Sequence, residues 1–112
     1  MLPNEMKITD KAFNSLRRFH LNTGVTVNIG ARLAFFKSIE SGYIYDGKEI
    51  EPRQRQLSKH VWLGGLEQIV EILLKERYRE YDDKALYRAW NAHVEDGAAS
   101  IEGKTNLSSF AQ

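Results

Sequence analysis

The sequence contains no cysteine. That excludes disulfides, a thiolate nucleophile and cysteine-ligated zinc. It contains no apolar run approaching the roughly 18 residues that suggest a membrane span. The first residues, MLPNEMKITDK, lack the apolar core of a secretory leader. A cytoplasmic location without membrane contact is therefore expected. Walker, dinucleotide and Ser/His/Asp patterns are missing, as are an H-x-x-x-H pair and any visible three-ligand metal cluster. No cofactor, no metal and no catalytic residue is expected on these grounds.

What remains is ordinary in bulk and uneven in detail. The chain has 112 residues, 42% hydrophobic and 28% charged, which fits one globular domain over 1–112. A domain this short buries a limited apolar area, so subunit association is a natural source of extra stability. The net charge is only +1. Residues 1–60 nevertheless hold ten Lys and Arg against six Asp and Glu, whereas residues 61–112 hold six against nine. A basic half suits a polyanion, and an acidic half suits solvent or a protein partner.

Periodicity predicts a mainly α fold: a compact four-helix domain with a short N-terminal strand at 5–9 and a small hairpin near 43–51. In the first helix, residues 11–22, Ala12, Phe13, Leu16 and Phe19 share a face. Thr9 or Asp10 can cap it, and Gly24 suits its left-handed stop. Thr26 caps a second helix that runs to about Glu40, with Gly42 as its stop. Asp46-Gly47 between short alternating runs is a hairpin signal. Leu66, Ile69, Val70, Leu73 and Leu74 form the apolar stripe of a third helix. Asp82-Asp83 cap a fourth, whose buried face is Leu86, Ala89, Trp90, His93 and Val94. After Gly97 the periodicity fades, and the tail is expected to dock or fray.

The second helix is apolar or small nearly all round. Burial at a subunit interface is the simplest account in so short a chain, with Gly30, Ala31, Arg32, Leu33, Ala34 and Phe36 as interface residues. Arg32 falls inside the apolar arc. It needs an anionic or carbonyl partner, or must snorkel to water. A structural ion pair, such as one with Glu40 of a neighbouring subunit, and a phosphate ligand both satisfy that need.

Binding to a phosphate backbone requires cations, amides or hydroxyls at several points. Lys7, Lys11, Arg17 and Arg18 offer these from the first strand and helix. Thr26 and Asn28 stand at a helix N-terminus, where free amides and the helix dipole attract anions. Arg53, Arg55 and Lys59 form the densest basic run. His20 and His93, each on an apolar face, read as core histidines. His60, which closes the basic run, is the one histidine suited to activating a nucleophile. Asp82-Asp83 read as a helix cap before a magnesium site.

The order of short strand, helix, glycine turn and Thr-capped helix resembles ribbon-helix-helix DNA-binding dimers, in which paired strands enter the major groove. A broader match covers almost the whole chain. MLPN, TGVTVNIGARLAFFKSIE at 23–40, DGKEI at 46–50 and HVEDGAASIEGKTNLSSF at 93–110 resemble the DndE family of bacterial DNA phosphorothioation systems. The resemblance implies a small, largely helical, homotetrameric protein that binds double-stranded DNA and prefers nicked duplex. Val27 stands where family members often carry proline, which weakens pre-organisation of the first turn but keeps its anion-binding amides. Glu102 and Gly103 stand where the family tends to carry arginine, so the resemblance extends no DNA role to the tail.

Taken together, these features suggest a non-catalytic, oligomeric DNA-binding subunit of a phosphorothioate modification complex, working beside other subunits of that complex. Two alternatives stay open at this stage: a metal-dependent DNA-nicking subunit, and a ribbon-helix-helix repressor. Outward Lys7 and Thr9 on paired strands would mark the repressor, and a carboxylate cluster with His60 the nicking enzyme.

Overall fold

Thr9 joins the two ends of the fold. Its hydroxyl accepts from the Ala12 amide at 3.1 Å and donates to the Glu95 carboxylate. One side chain thus caps the first helix and ties it to the last. The computed structural model describes residues 5–48, 55–58 and 64–101. Their elements are β1 (Glu5–Ile8), α1 (Asp10–Thr23), α2 (Val27–Glu40), β2 (Arg55–Ser58), a 3₁₀ turn (Gly64–Leu66), α3 (Glu67–Arg77) and α4 (Asp83–Ile101). The four-helix, mainly α architecture and the N-terminal strand are as the sequence predicts.

Local chemistry sets the tight α1–α2 joint. Gly24 adopts φ 81°, and its amide donates to the His20 carbonyl at 2.7 Å. Only glycine takes this left-handed turn without strain. Thr26 then caps α2 by accepting from the Ile29 amide. At the other end of α2, Arg77 of α3 donates to the carbonyls of Ile39 and Tyr43, at 3.4 and 3.2 Å. A cation at a helix C-terminus meets both the orphan carbonyls and the negative end of the dipole.

The core is built around α4, where Trp90, Asn91, Ala92, His93 and Val94 are consecutively buried. α2 packs most extensively on α4, and α1 packs on both. Ala34 meets Gly97 while Ser38 meets His93 and Asp96, so α2 and α4 run antiparallel. This changes two sequence expectations. The helix does not fade out after Gly97. Gly97 sits inside α4, which continues to Ile101, because a side chain there would collide with the Ala34 backbone. Gly30, Ala31 and Ala34 are small because they pack within the chain: Ala31 and Ala34 are fully buried, and a Cβ on Gly30 would lie 3.4 Å from Leu16 Cδ2. With their surface already covered, these three cannot also form an interface between chains.

β1 pairs antiparallel with β2, with Ile8 opposite Arg55 and Met6 opposite Leu57. The hairpin expected near 43–51 does not form over residues 43–48, and 49–51 lie outside the described residues. Asp46-Gly47 does turn the chain, with Asp46 Oδ1 accepting from the Lys48 amide at 2.9 Å. The flanking backbone is occupied by side chains instead of a ladder. The Tyr45 amide donates to the Tyr78 hydroxyl, and the Tyr45 hydroxyl donates to the Lys48 carbonyl. Two further expectations are corrected. His20 is exposed, its Nδ1 3.0 Å from the Val25 carbonyl, rather than seated in the core. On α3 only Val70 and Leu74 are buried, while Ile69 and Ile72 remain about half exposed or more.

Candidate nucleic-acid interface

α1 presents two unlike faces. Ala12, Ser15, Leu16 and Phe19 point inward, and Lys11, Asn14, Arg17, Arg18, Leu21 and Asn22 are exposed. At about 100° per residue the exposed set covers one broad side of the helix. Three cations stand on it, and the only carboxylate in α1 is Asp10 in the first turn. From Lys11 to Asn22 the strip is about 17 Å long, and its three cations span about 10 Å. A duplex advances about 3.4 Å per base pair, so the cations match about three base pairs.

Residues around the strip divide clearly. Lys7 is exposed on β1, and its amide donates to the Tyr87 hydroxyl at 2.8 Å. Thr26 is exposed and Asn28 half-buried at the N-terminus of α2, which follows the α1 C-terminus by a short turn. Arg55 reaches the first turn of α1: its Nε donates to Asp10 Oδ1 at 3.0 Å, and its guanidinium lies 4.6 Å from the centre of the Phe13 ring. Arg53, Lys59 and His60 lie outside the described residues. Thr9 is buried as a cap, so it does not point outward beside Lys7 as a ribbon-helix-helix reader requires. β1 finds its strand partner inside the same chain, which also departs from that architecture.

α2 has an outward side of different character. Ile29, Arg32, Leu33, Phe36 and Glu40 follow one another at helical spacing opposite the buried Ala31, Ala34, Phe35 and Ser38. Ile29 is 42% exposed; Arg32, Leu33 and Phe36 are half-buried. Arg32 therefore sits on the rim of an apolar stripe that faces out of the chain, not inside the core.

The buried polar centre involves residues that sequence reasoning mostly missed. Ser38 Oγ donates to Asp96 Oδ2 at 2.8 Å, which leaves His93 Nδ1–H to donate to Ser38 Oγ at 2.9 Å. His93 Nε2 then accepts from the Tyr78 hydroxyl at 2.7 Å, and Tyr78 accepts from the Tyr45 amide at 2.9 Å. Every group has a partner and the imidazole is neutral, as expected for a core histidine. Burial pushes its pKa down to about 4, with Arg77 adding to the effect. Burial also raises the phenol of Tyr78. Ser38, His93 and Asp96 resemble a catalytic trio in composition only. In a trio that activates serine the histidine stands in the middle and takes the serine proton. Here serine is in the middle and gives its proton to Asp96. Asp82 acts as the expected cap, accepting from the Ala85 amide at 2.8 Å. Among the described residues no group of three His, Asp or Glu is arranged to hold a metal ion. Nor is any helix among them long and apolar enough to cross a membrane.

The family model for "DNA sulphur modification protein DndE" matches residues 5–109. The chain belongs to the DndE family. Solved DndE structures share its fold. The crystal structure of DndE from Escherichia coli B7A, involved in DNA phosphorothioation modification, is 42% identical, with a TM-score of 0.79 over 89% of this chain and 99% of that one. A DndE variant in which glycines are replaced by lysine, also involved in DNA phosphorothioation, is 39% identical, with a TM-score of 0.80 over 90% of this chain and 99% of that one. No curated protein matches the sequence. Membership in DndE places the chain in DNA sulphur modification and agrees with the sequence resemblance.

Proposed function

We propose that this chain is a non-catalytic, homo-oligomeric subunit of the phosphorothioation machinery that holds duplex DNA, nicked duplex included, by its backbone phosphates. The observation that carries this reading is the outward face of α1. It presents Lys11, Arg17 and Arg18 along about 10 Å with no carboxylate between them. Lys7, and Thr26 with Asn28 at the α2 N-terminus, extend the same contact, and Arg53 and Lys59 are assigned to it from their place in the basic run. Sulphur activation needs thiol or iron–sulphur chemistry, which a cysteine-free chain leaves to partner subunits. The outward stripe of α2, with Arg32, Leu33 and Phe36, is assigned to contact between copies, as a homotetramer.

Salt-dependent binding to intact and nicked oligonucleotides tests this. Each phosphate neutralised contributes about 0.9 to the slope of log affinity against log salt. Lys11→Glu, Arg17→Glu and Arg18→Glu together are expected to lower affinity at least about tenfold and to flatten that slope by two to three such units. Lys75→Glu with Arg79→Glu, on exposed positions of the acidic half, should change it little. Equal losses from both sets would reject the α1 face as the contact.

A further inference from the structure

Arg55 of β2 is paired with the first turn of α1. Its Nε donates to Asp10 Oδ1 at 3.0 Å, 45 residues away in sequence, and the guanidinium packs against the Phe13 ring. Asp10 is also the one carboxylate of α1, at the end of the basic strip. We propose that Asp10 competes with DNA phosphate for Arg55, so that this ion pair limits how tightly the α1 face holds a duplex. The proposal rests on the DNA-binding reading and adds a restraint built into that site.

Three features support it. First, the pair is exchangeable: the two side chains are 52% and 51% exposed, and ion pairs this open to water are weak and screened. Second, the contact seen is through Nε to one carboxylate oxygen. A phosphate can engage a guanidinium in two parallel hydrogen bonds, which is the stronger arrangement. Third, the Phe13 ring steadies the guanidinium independently of Asp10, through a cation–π contact. Arg55 therefore stays beside the strip when the carboxylate lets go. A cation already neutralised by Asp10 releases few counterions when DNA arrives, so it adds little to affinity until Asp10 is displaced. The carboxylate itself repels the incoming phosphates.

The test is a four-protein comparison: wild type, Asp10→Asn, Arg55→Gln and the double variant, each titrated with a duplex oligonucleotide across a salt series and checked for folding by circular dichroism. Asp10→Asn is expected to tighten binding about three- to tenfold at low salt and to steepen the salt slope by about 0.9. Arg55→Gln should weaken binding about two- to threefold, because it leaves the Asp10 carboxylate unneutralised, and the double variant should lose the gain. A gain that persists without Arg55 would mean that any removed negative charge acts alike, and overturns the proposal. So would a tenfold loss on Arg55→Gln alone, since Arg55 would then already hold DNA in the wild type. An Asp10→Asn protein that melts earlier but binds as before would leave the pair a structural tie and overturns it too. Failure of all four folded proteins to bind duplex would instead overturn the DNA-binding reading beneath it.

Discussion

Gly97 of α4 lies so close to Ala34 of α2 that a Cβ built on the glycine would come within 1.8 Å of the Ala34 carbonyl oxygen and 2.4 Å of its carbonyl carbon. The two backbones touch, and helix propensity yields to packing at this point. Glycine in a helix interior costs up to about 1 kcal/mol relative to alanine, yet alanine has no room here.

Gly97→Ala is therefore expected to destabilise the fold by about 3 kcal/mol or more, as overpacking against an unyielding neighbour does. In thermal denaturation the midpoint should fall by more than about 10 °C. Ala34→Gly should not rescue it, because the clash is with backbone atoms rather than the Ala34 methyl. A Gly97→Ala protein as stable as wild type would show that the helices can separate at little cost.

His93 predicts a specific pH response. Its folded pKa is about 4, below the 6.5 of an exposed histidine. The unfolded chain thus binds the extra proton first, and stability falls as pH drops from about 6.5 towards 4. Its contribution is complete above pH 6.5, and up to about 2 kcal/mol of it is gone at pH 5. Urea denaturation at pH 7 and pH 5 should show this loss in the wild type and a smaller one in His93→Gln. Identical losses in both proteins would assign the acid sensitivity to the carboxylates.

The α1–turn–α2 unit was legible in the sequence because its signals are local: Thr9, Gly24 and Thr26 act on backbone within three or four residues of themselves. The exposed strip of α1 was legible for the same reason, since helical periodicity alone separates Lys11, Arg17 and Arg18 from Leu16 and Phe19. What failed was set by distant partners. The pattern fades after Gly97, and the reason for a glycine there shows only when Ala34 is placed against it. Asp46-Gly47 reads as a hairpin until β1 is seen to pair with residues 55–58. The all-round small and apolar character of α2 reads as an oligomer interface until α1 and α4 are seen to cover half of it. The Asp10–Arg55 pair and the Ser38–His93–Tyr78 chain join residues 15 to 55 positions apart, which no local pattern reveals.

The two sides of α2 give the last prediction, because they should respond to charge in different ways. Ala34 is fully buried against α4, so Ala34→Glu puts an unpaired carboxylate into the core and should unfold the subunit. Ile29 and Leu33 face outward on the same helix, and Ile29 is 42% exposed in the single chain. Ile29→Lys with Leu33→Lys should leave the subunit helical, since lysine forms helix well and can extend into water. In the assembly it places charge on an apolar contact, which associated subunits tolerate poorly. Analytical ultracentrifugation should therefore find wild type as a homotetramer at micromolar concentration, the double lysine variant as a folded smaller species, and Ala34→Glu as an unfolded or aggregated chain. Wild type sedimenting as a monomer would sink the assembly proposal. A double lysine variant that remains tetrameric would move the interface off this face of α2.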